Sequence, residues 1–136
     1  MKATPPTKTD LDEAYQIFCE QIKHTPCTRQ SFEQGCQFLV CKQDGEVIGF
    51  ASFMFNGFEV EILHVATKPG FERRGVATKL LKCIFEKYSG LTVFLEVEQD
   101  NTAAISLYEK LGFEKIFVRN NYYSNGGAAI IMKKEE

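Results

Sequence analysis

Phe71-Glu72-Arg73-Arg74-Gly75-Val76-Ala77-Thr78 is the stretch on which the fold turns. Before it, residues 60–67 read as a strand. From Gly75 to Tyr88 the apolar spacing becomes helical, with Val76, Leu80, Cys83, Ile84 and Phe85 able to share a buried side. A strand, a short basic turn with one glycine and a helix start together suit a pyrophosphate. The first N–H groups of a helix have no intrahelical acceptor, and the helix dipole adds partial positive charge there. The competing reading is a plain helix start with two solvated arginines.

Upstream, residues 38–41, 47–55 and 58–67 read as three strands. Gln43-Asp44-Gly45-Glu46 and Asn56-Gly57 join them as hairpin turns. Residues 1–10 form a lead-in with a short strand near its end. Residues 11–23 are helical, with Asp10 as the expected N-cap and Glu13 as its capping-box partner. The pattern breaks around Pro26, and residues 29–35 form a second, short helix. Downstream come a strand over 91–98 and a helix over 101–111 that Gly112 ends. Strands over 113–119 and 128–133 close the chain, joined by the polar, Gly-bearing residues 120–127. The order implies one α/β (α+β) domain over residues 1–136. Its mostly antiparallel sheet turns parallel around the two C-terminal helices.

The chain has 136 residues, enough for one core. At 44% hydrophobic and 25% charged residues its composition is that of a globular protein. A net charge of -2 gives no reason to expect direct nucleic-acid or membrane binding. Five cysteines, an odd number, fit no zinc spacing, and neither His24 nor His64 has ligand partners at metal spacing. His64 reads as a packed strand residue. The polar opening resembles no secretory signal, so free thiols in a cytoplasmic protein are expected.

Three further segments carry chemistry. Strand alternation puts Phe94, Glu96 and Glu98 on one face and Val93, Leu95 and Val97 on the other. A carboxylate at a strand end among apolar neighbours is placed for general-base work; the alternative is that both glutamates face solvent. Tyr108, on the following helix, has a hydroxyl that stays protonated near neutrality and can donate to a developing thiolate; the alternative is a core aromatic. Arg119-Asn120-Asn121-Tyr122-Tyr123 supplies paired, rigid, amphipathic rings that could grip an extended peptide or cover a core edge.

Together these segments resemble the GCN5-related N-acetyltransferases (GNAT). The resemblance runs from about Glu59 to Lys133. It rests on Leu63-His64-Val65-Ala66-Thr67-Lys68-Pro69, on Arg73-Arg74-Gly75-Val76-Ala77, and on Asn101-Thr102-Ala103-Ala104-Ile105-Ser106-Leu107-Tyr108 with Gly112-Phe113 after it. Leu95-Glu96-Val97 and Arg119 to Tyr123, followed by Ile130-Ile131-Met132, look like the RimI-type enzymes, which acetylate the N-terminal amine of a ribosomal protein.

The resemblance implies acetyl-CoA as cosubstrate, no metal, and a monomer or homodimer. Backbone groups of Val65, Ala66 and Thr67 would meet the pantetheine arm. Arg73, Arg74, Gly75, Val76, Ala77 and Thr78 would cradle the pyrophosphate, and Asn101 would contact the cofactor arm. Glu96 corresponds to the proton acceptor and Tyr108 to the proton donor of a direct attack. Tyr122 and Tyr123 would lie beside the acceptor, most simply a protein N-terminus. Three positions depart from the pattern. Glu72 stands where Gln or Arg is usual, so its carboxylate is expected to point to solvent. Ala77 replaces a common glycine, and Ala128 replaces an acidic residue before the last strand. Two alternatives stay open: acetylation of a polyamine, amino sugar or amino acid, and a non-catalytic CoA-binding regulatory module.

Overall fold

A computed structural model describes residues 1–22, 27–123 and 126–135. The elements run β1 (Lys2–Thr4), α1 (Lys8–Gln21), α2 (Arg29–Glu33), β2 (Gln37–Gln43), β3 (Glu46–Phe55), β4 (Glu59–Thr67), α3 (Val76–Lys87), β5 (Thr92–Glu98), α4 (Thr102–Lys110), β6 (Glu114–Arg119) and β7 (Ala129–Lys134). The strands form one seven-stranded sheet in the order β1-β2-β3-β4-β5-β7-β6. Every neighbouring pair is antiparallel except β4 and β5, which run parallel. The expected mixed sheet is therefore present, with its parallel pair at the crossover through α3.

Local chemistry explains most boundaries. Asp44 and Gly45 both have positive φ, at 52° and 80°, as a two-residue hairpin with the twist of its strands requires. Gly112, at φ 102°, stops α4. The first helix begins earlier than expected because Thr7, not Asp10, is its N-cap. Thr7 Oγ1 accepts the Asp10 N–H at 3.1 Å, and Asp10 Oδ2 accepts the Thr7 N–H at 3.0 Å. Asp10 thus plays the part foreseen for Glu13. Glu13 instead accepts the Val47 N–H at 3.4 Å. Lys42 Nζ lies 3.0 Å from Asp10 Oδ1 and ties α1 to β2. The first strand likewise lies at the start of the lead-in, at Lys2–Thr4. The expected helix end at Lys23, with His24 and Pro26, falls outside the described residues.

The sheet separates two apolar clusters. On one face α1 and α2 bring Ala14, Ile17, Phe18 and Phe32 against Val40, Val47, Phe50 and Ala66. On the other, α3 and α4 cover Ile48, Phe53, Val60, Ile62, Val93, Leu95 and Met132. Each of the larger side chains among them, once buried, contributes about 1.5–3 kcal/mol. The buried stripe of α3 is Val76, Leu80, Leu81 and Ile84, a correction to the expected side. Cys83 and Phe85 lie half-buried at its two borders. No described helix is long and apolar enough to cross a membrane, and all five cysteines are free.

Candidate active site

The site begins where β4 and β5 part. Their parallel pairing runs from Glu59 opposite Thr92 to Ile62 opposite Leu95, and ends there. At the same point β4 carries an extra residue against β3: Ser52 faces His64, but Phe53 faces Ile62, leaving Leu63 unmatched. Such a bulge bends and twists its strand, which turns β4 away from β5 and opens a gap. It also shifts the alternation by one. Val60 and Ile62 face α3, whereas His64 and Ala66 face α1, where the His64 ring packs edge-on to Phe18 at 4.9 Å.

The ladder also decides which backbone groups face the gap. The Lys68 N–H donates to Ile48 O at 2.8 Å, which marks that pair as hydrogen-bonded. Pairs alternate along an antiparallel ladder. Ala66 and His64 therefore spend their polar groups on β3, while Val65 and Thr67 aim theirs into the gap. The Thr67 carbonyl accepts from Gln21 Nε2 at 2.9 Å. Val65 is left as the backbone group facing the centre of the gap.

On the α3 side the gap continues as a groove of about 540 Å³. Val65, Ala66, Thr67, Arg73, Gly75, Val76, Ala77, Thr78 and Asn101 all line it, with Ala104 and Leu107 from α4. Helices α1, α2 and α4 have N-cap side chains that accept N–H groups, from Thr7, Thr28 and Asn101. α3 has none: its N-cap is Gly75, left-handed at φ 79°. Arg73 is left-handed too, at φ 64°. Left-handed residues interleaved with ordinary ones turn successive N–H groups to one side, an anion-binding concavity. Its depth depends on Gly49 in β3. A Cβ there would overlap Val76 Cγ1 and lie 3.0 Å from the Ala66 carbonyl oxygen, so the glycine lets the start of α3 close on the sheet.

Two arginine-turn expectations resolve differently. Arg73 lines the groove, whereas the Arg74 guanidinium lies over the Phe71 ring at 5.0 Å and is absent from the lining. Glu72 is exposed and its Oε1 accepts the Gly70 N–H at 2.6 Å. That bond ties the carboxylate to its own loop, although the residue also borders the groove.

On the other side of the gap is a pocket of about 640 Å³. It shares Gln21, Ile22, Val65 and Asn101 with the groove, so the two cavities meet at the parted strands. Glu96, Tyr108, Tyr122 and Tyr123, from three separate stretches of chain, all line it. Glu96 sits on the open face of β5, as alternation requires, with Arg119 Nη1 3.7 Å from its Oε1. Burial pushes the Tyr108 hydroxyl up to about 12, so it carries its proton throughout the working range. Tyr122 and Tyr123 meet at 5.2 Å, nearly perpendicular. Burial pushes the Tyr123 hydroxyl up, and the charges of Glu96 and Glu98 add to this. Asn101 uses Oδ1 to cap α4 through the Ala104 N–H at 3.2 Å, which leaves its amide NH₂ as the group for a ligand.

Several wall residues escaped the sequence reading. Gln21 and Ile22 arrive from the end of α1 and Asp100 from the turn after β5, while Glu98, which alternation sets beside Glu96, ends β5. His64 packs as expected but also borders the pocket, because the bulge turns it there. Ala128 is buried, and its carbonyl accepts the Gln99 N–H at 2.9 Å. No group of three or more metal-ligating side chains occurs among the described residues.

A groove built to hold an anion, opening through parted parallel strands onto a pocket with a carboxylate and a protonated tyrosine, can carry a phosphorylated acyl donor to a nucleophile. Known proteins agree. The sequence profile of the Acetyltransferase (GNAT) family matches residues 3–113. The [Ribosomal protein bS18]-alanine N-acetyltransferase of Escherichia coli K12 is 37% identical over 123 residues, covering 85% of this chain and 82% of the relative. An N-alpha-acetyltransferase of Sulfurisphaera tokodaii is 31% identical over 134 residues, 87% of this chain and 75% of the relative. The crystal structure of the Escherichia coli ribosomal-protein-S18-alanine N-acetyltransferase superposes with a TM-score of 0.87 at 30% identity, covering 98% and 92% of the two chains. The chain belongs to the GNAT family and is an acetyltransferase that draws its acetyl group from acetyl-CoA.

Proposed function

We propose that this protein acetylates the N-terminal α-amine of a protein, of the ribosomal-protein-alanine type, in the cytoplasm. The observation that carries the reading is the meeting of the donor groove with the pocket of Glu96, Tyr108 and the Tyr122–Tyr123 pair. Val65, Thr67 and the α3 N-terminus hold the pantetheine arm and pyrophosphate. The Val65 N–H, aimed into the gap, polarises the thioester carbonyl.

An α-amine has a reference pKa of about 7.7–8.0 and is partly protonated at neutral pH. Glu96, directly or through water, takes the proton. The neutral amine attacks the thioester in one step, and Tyr108 protonates the departing thiolate. Direct attack is supported by the cavity linings, which include none of the five cysteines. Tyr122 and Tyr123 flank the first residues of the acceptor.

The acidic wall of Glu96, Glu98 and Asp100 also favours a second reading, in which the acceptor is a small polyamine. The test is thiol release from acetyl-CoA with peptides beginning Ala, Ser or Met, run beside spermidine and glucosamine. Turnover with peptides and little with the small amines is expected. The reverse order would sink the peptide reading.

A further inference from the structure

His64 has no part in the mechanism above, yet it borders the acceptor pocket. Three observations give it one. The bulge at Leu63 turns its ring from the α3 face to the α1 face, on the same side of the sheet as Glu96. Phe18 holds the ring edge-on at 4.9 Å, which limits its orientation. Directly across the ladder stands Ser52, which is buried and whose Oγ has no hydrogen-bond partner among the described residues. Facing residues of an antiparallel pair have Cβ atoms about 5 Å apart, and a buried hydroxyl without a partner costs about 1–3 kcal/mol. His64, directly opposite on the ladder, carries ring nitrogens able to relieve that cost.

We propose that His64, oriented by Ser52, is a second proton acceptor for the incoming amine. This rests on the pocket being the acceptor site. A small turn of the ring would let one nitrogen donate to the unpartnered Ser52 Oγ, and the other nitrogen then presents its lone pair to the pocket. It takes a proton from R–NH₃⁺, giving R–NH₂ and an imidazolium. The N–C bond then forms at the thioester carbon, the C–S bond breaks, and the thiolate receives the Tyr108 proton. The second N–H proton restores Tyr108, and the imidazolium releases its proton to water. One proton is lost overall, as amide formation from an ammonium requires.

The charges around the ring fit this role. From β5 and the turn after it, Glu96, Glu98 and Asp100 face the same cavity and would stabilise a transient imidazolium, with Arg119 partly offsetting Glu96. Tyr108, Tyr122 and Tyr123 complete the titratable wall, while α1 presents Phe18, Gln21 and Ile22 without charge. Burial lowers the pKa of His64, so the ring is neutral and able to accept near pH 7.

The test compares His64→Asn with wild type, measuring kcat/KM from pH 6 to 9 on an Ala-initiated peptide and on an acyl hydrazide that is already neutral at pH 6. Expected is a loss of about tenfold at pH 7 on the peptide, below the roughly hundredfold or more of a lone general base because Glu96 remains. The loss should shrink towards pH 9 and be small on the hydrazide, with the KM for acetyl-CoA unchanged. Parallel pH profiles with equal loss on both acceptors would overturn the proposal. Should His64→Asn not fold, Ser52→Ala takes the same test, and a smaller change in the same direction is expected. An unchanged profile there would remove Ser52 and its orienting role. Wild-type preference for small amines over peptides would instead overturn the acceptor reading, and the same pH comparison would then be made on the preferred amine.

Discussion

The two cavities that meet at Val65 are built from different materials. The donor groove is mostly backbone: an uncapped helix N-terminus, left-handed Arg73 and Gly75, and strand groups that lost their neighbour when β4 turned away. The acceptor pocket is mostly side chain, assembled from the end of α1, β4, β5, α4 and the turn after β6. On the proposed reading the backbone site takes the cofactor, acetyl-CoA. A side-chain site can change its acceptor without altering the fold.

That division breaks first, if it is wrong, at Tyr108. Tyr108→Phe should lower kcat on the order of 10²-fold, roughly 3 kcal/mol of barrier, with the KM for acetyl-CoA unchanged in steady-state assays. A raised KM and an unchanged kcat would move Tyr108 into the donor site.

Gly49→Ala tests the other half. The added methyl would push Val76 and the start of α3 off the sheet. A cost of about 1–3 kcal/mol is expected, with weaker acetyl-CoA binding by calorimetry. Normal binding in a destabilised variant would mean that the cradle does not depend on this close approach.

Legibility follows the same line. The groove could be read because its parts sit together: a strand, a glycine turn and a helix start within some twenty residues. The hairpin at Asp44-Gly45 was legible for the same reason. The pocket was less so. Glu96 and Tyr108 emerged from alternation and resemblance, but Gln21 and Ile22 come from the far end of the chain. His64 was read as packing alone, since nothing in the sequence marks the bulge at Leu63. An uninterrupted two-residue period would have kept His64 beside Ile62. Arg119 facing Glu96 depends on the pairing of β7 with both β5 and β6, a long-range fact. The misread cap at Thr7 is local: Asp favours both the N-cap and the first turn, and only its hydrogen bonds distinguish the two.

Smaller effects sharpen the scaffold beneath the comparison. Asp10→Asn should cost about 0.3–1 kcal/mol at pH 7, through the lost charge at the helix N-terminus beside Lys42. Burial alone would raise the Asp10 pKa, but the Thr7 N–H and Lys42 outweigh it and leave it below 3.8. Its contribution is therefore complete above that value and fades as pH falls through the folded pKa. Melting curves of mutant and wild type should converge in strong acid; a gap independent of pH would exclude an ionic role.

The smallest effect belongs to His64. Its pKa is lowered by burial from 6.5, so stability is full above that value and declines as pH drops towards the folded pKa. The difference in melting temperature between wild type and His64→Asn should change between pH 7 and 5. A constant difference would show that the ring is not charged on unfolding in this range.

The account stands most directly on where the acetyl group goes. A peptide beginning with Ala and carrying an internal Lys should be incubated with the protein and acetyl-CoA, and the product sequenced by tandem mass spectrometry. The account predicts one added acetyl on the α-nitrogen. Acetyl on the lysine, or an untouched peptide beside rapid acetylation of a polyamine, would contradict it.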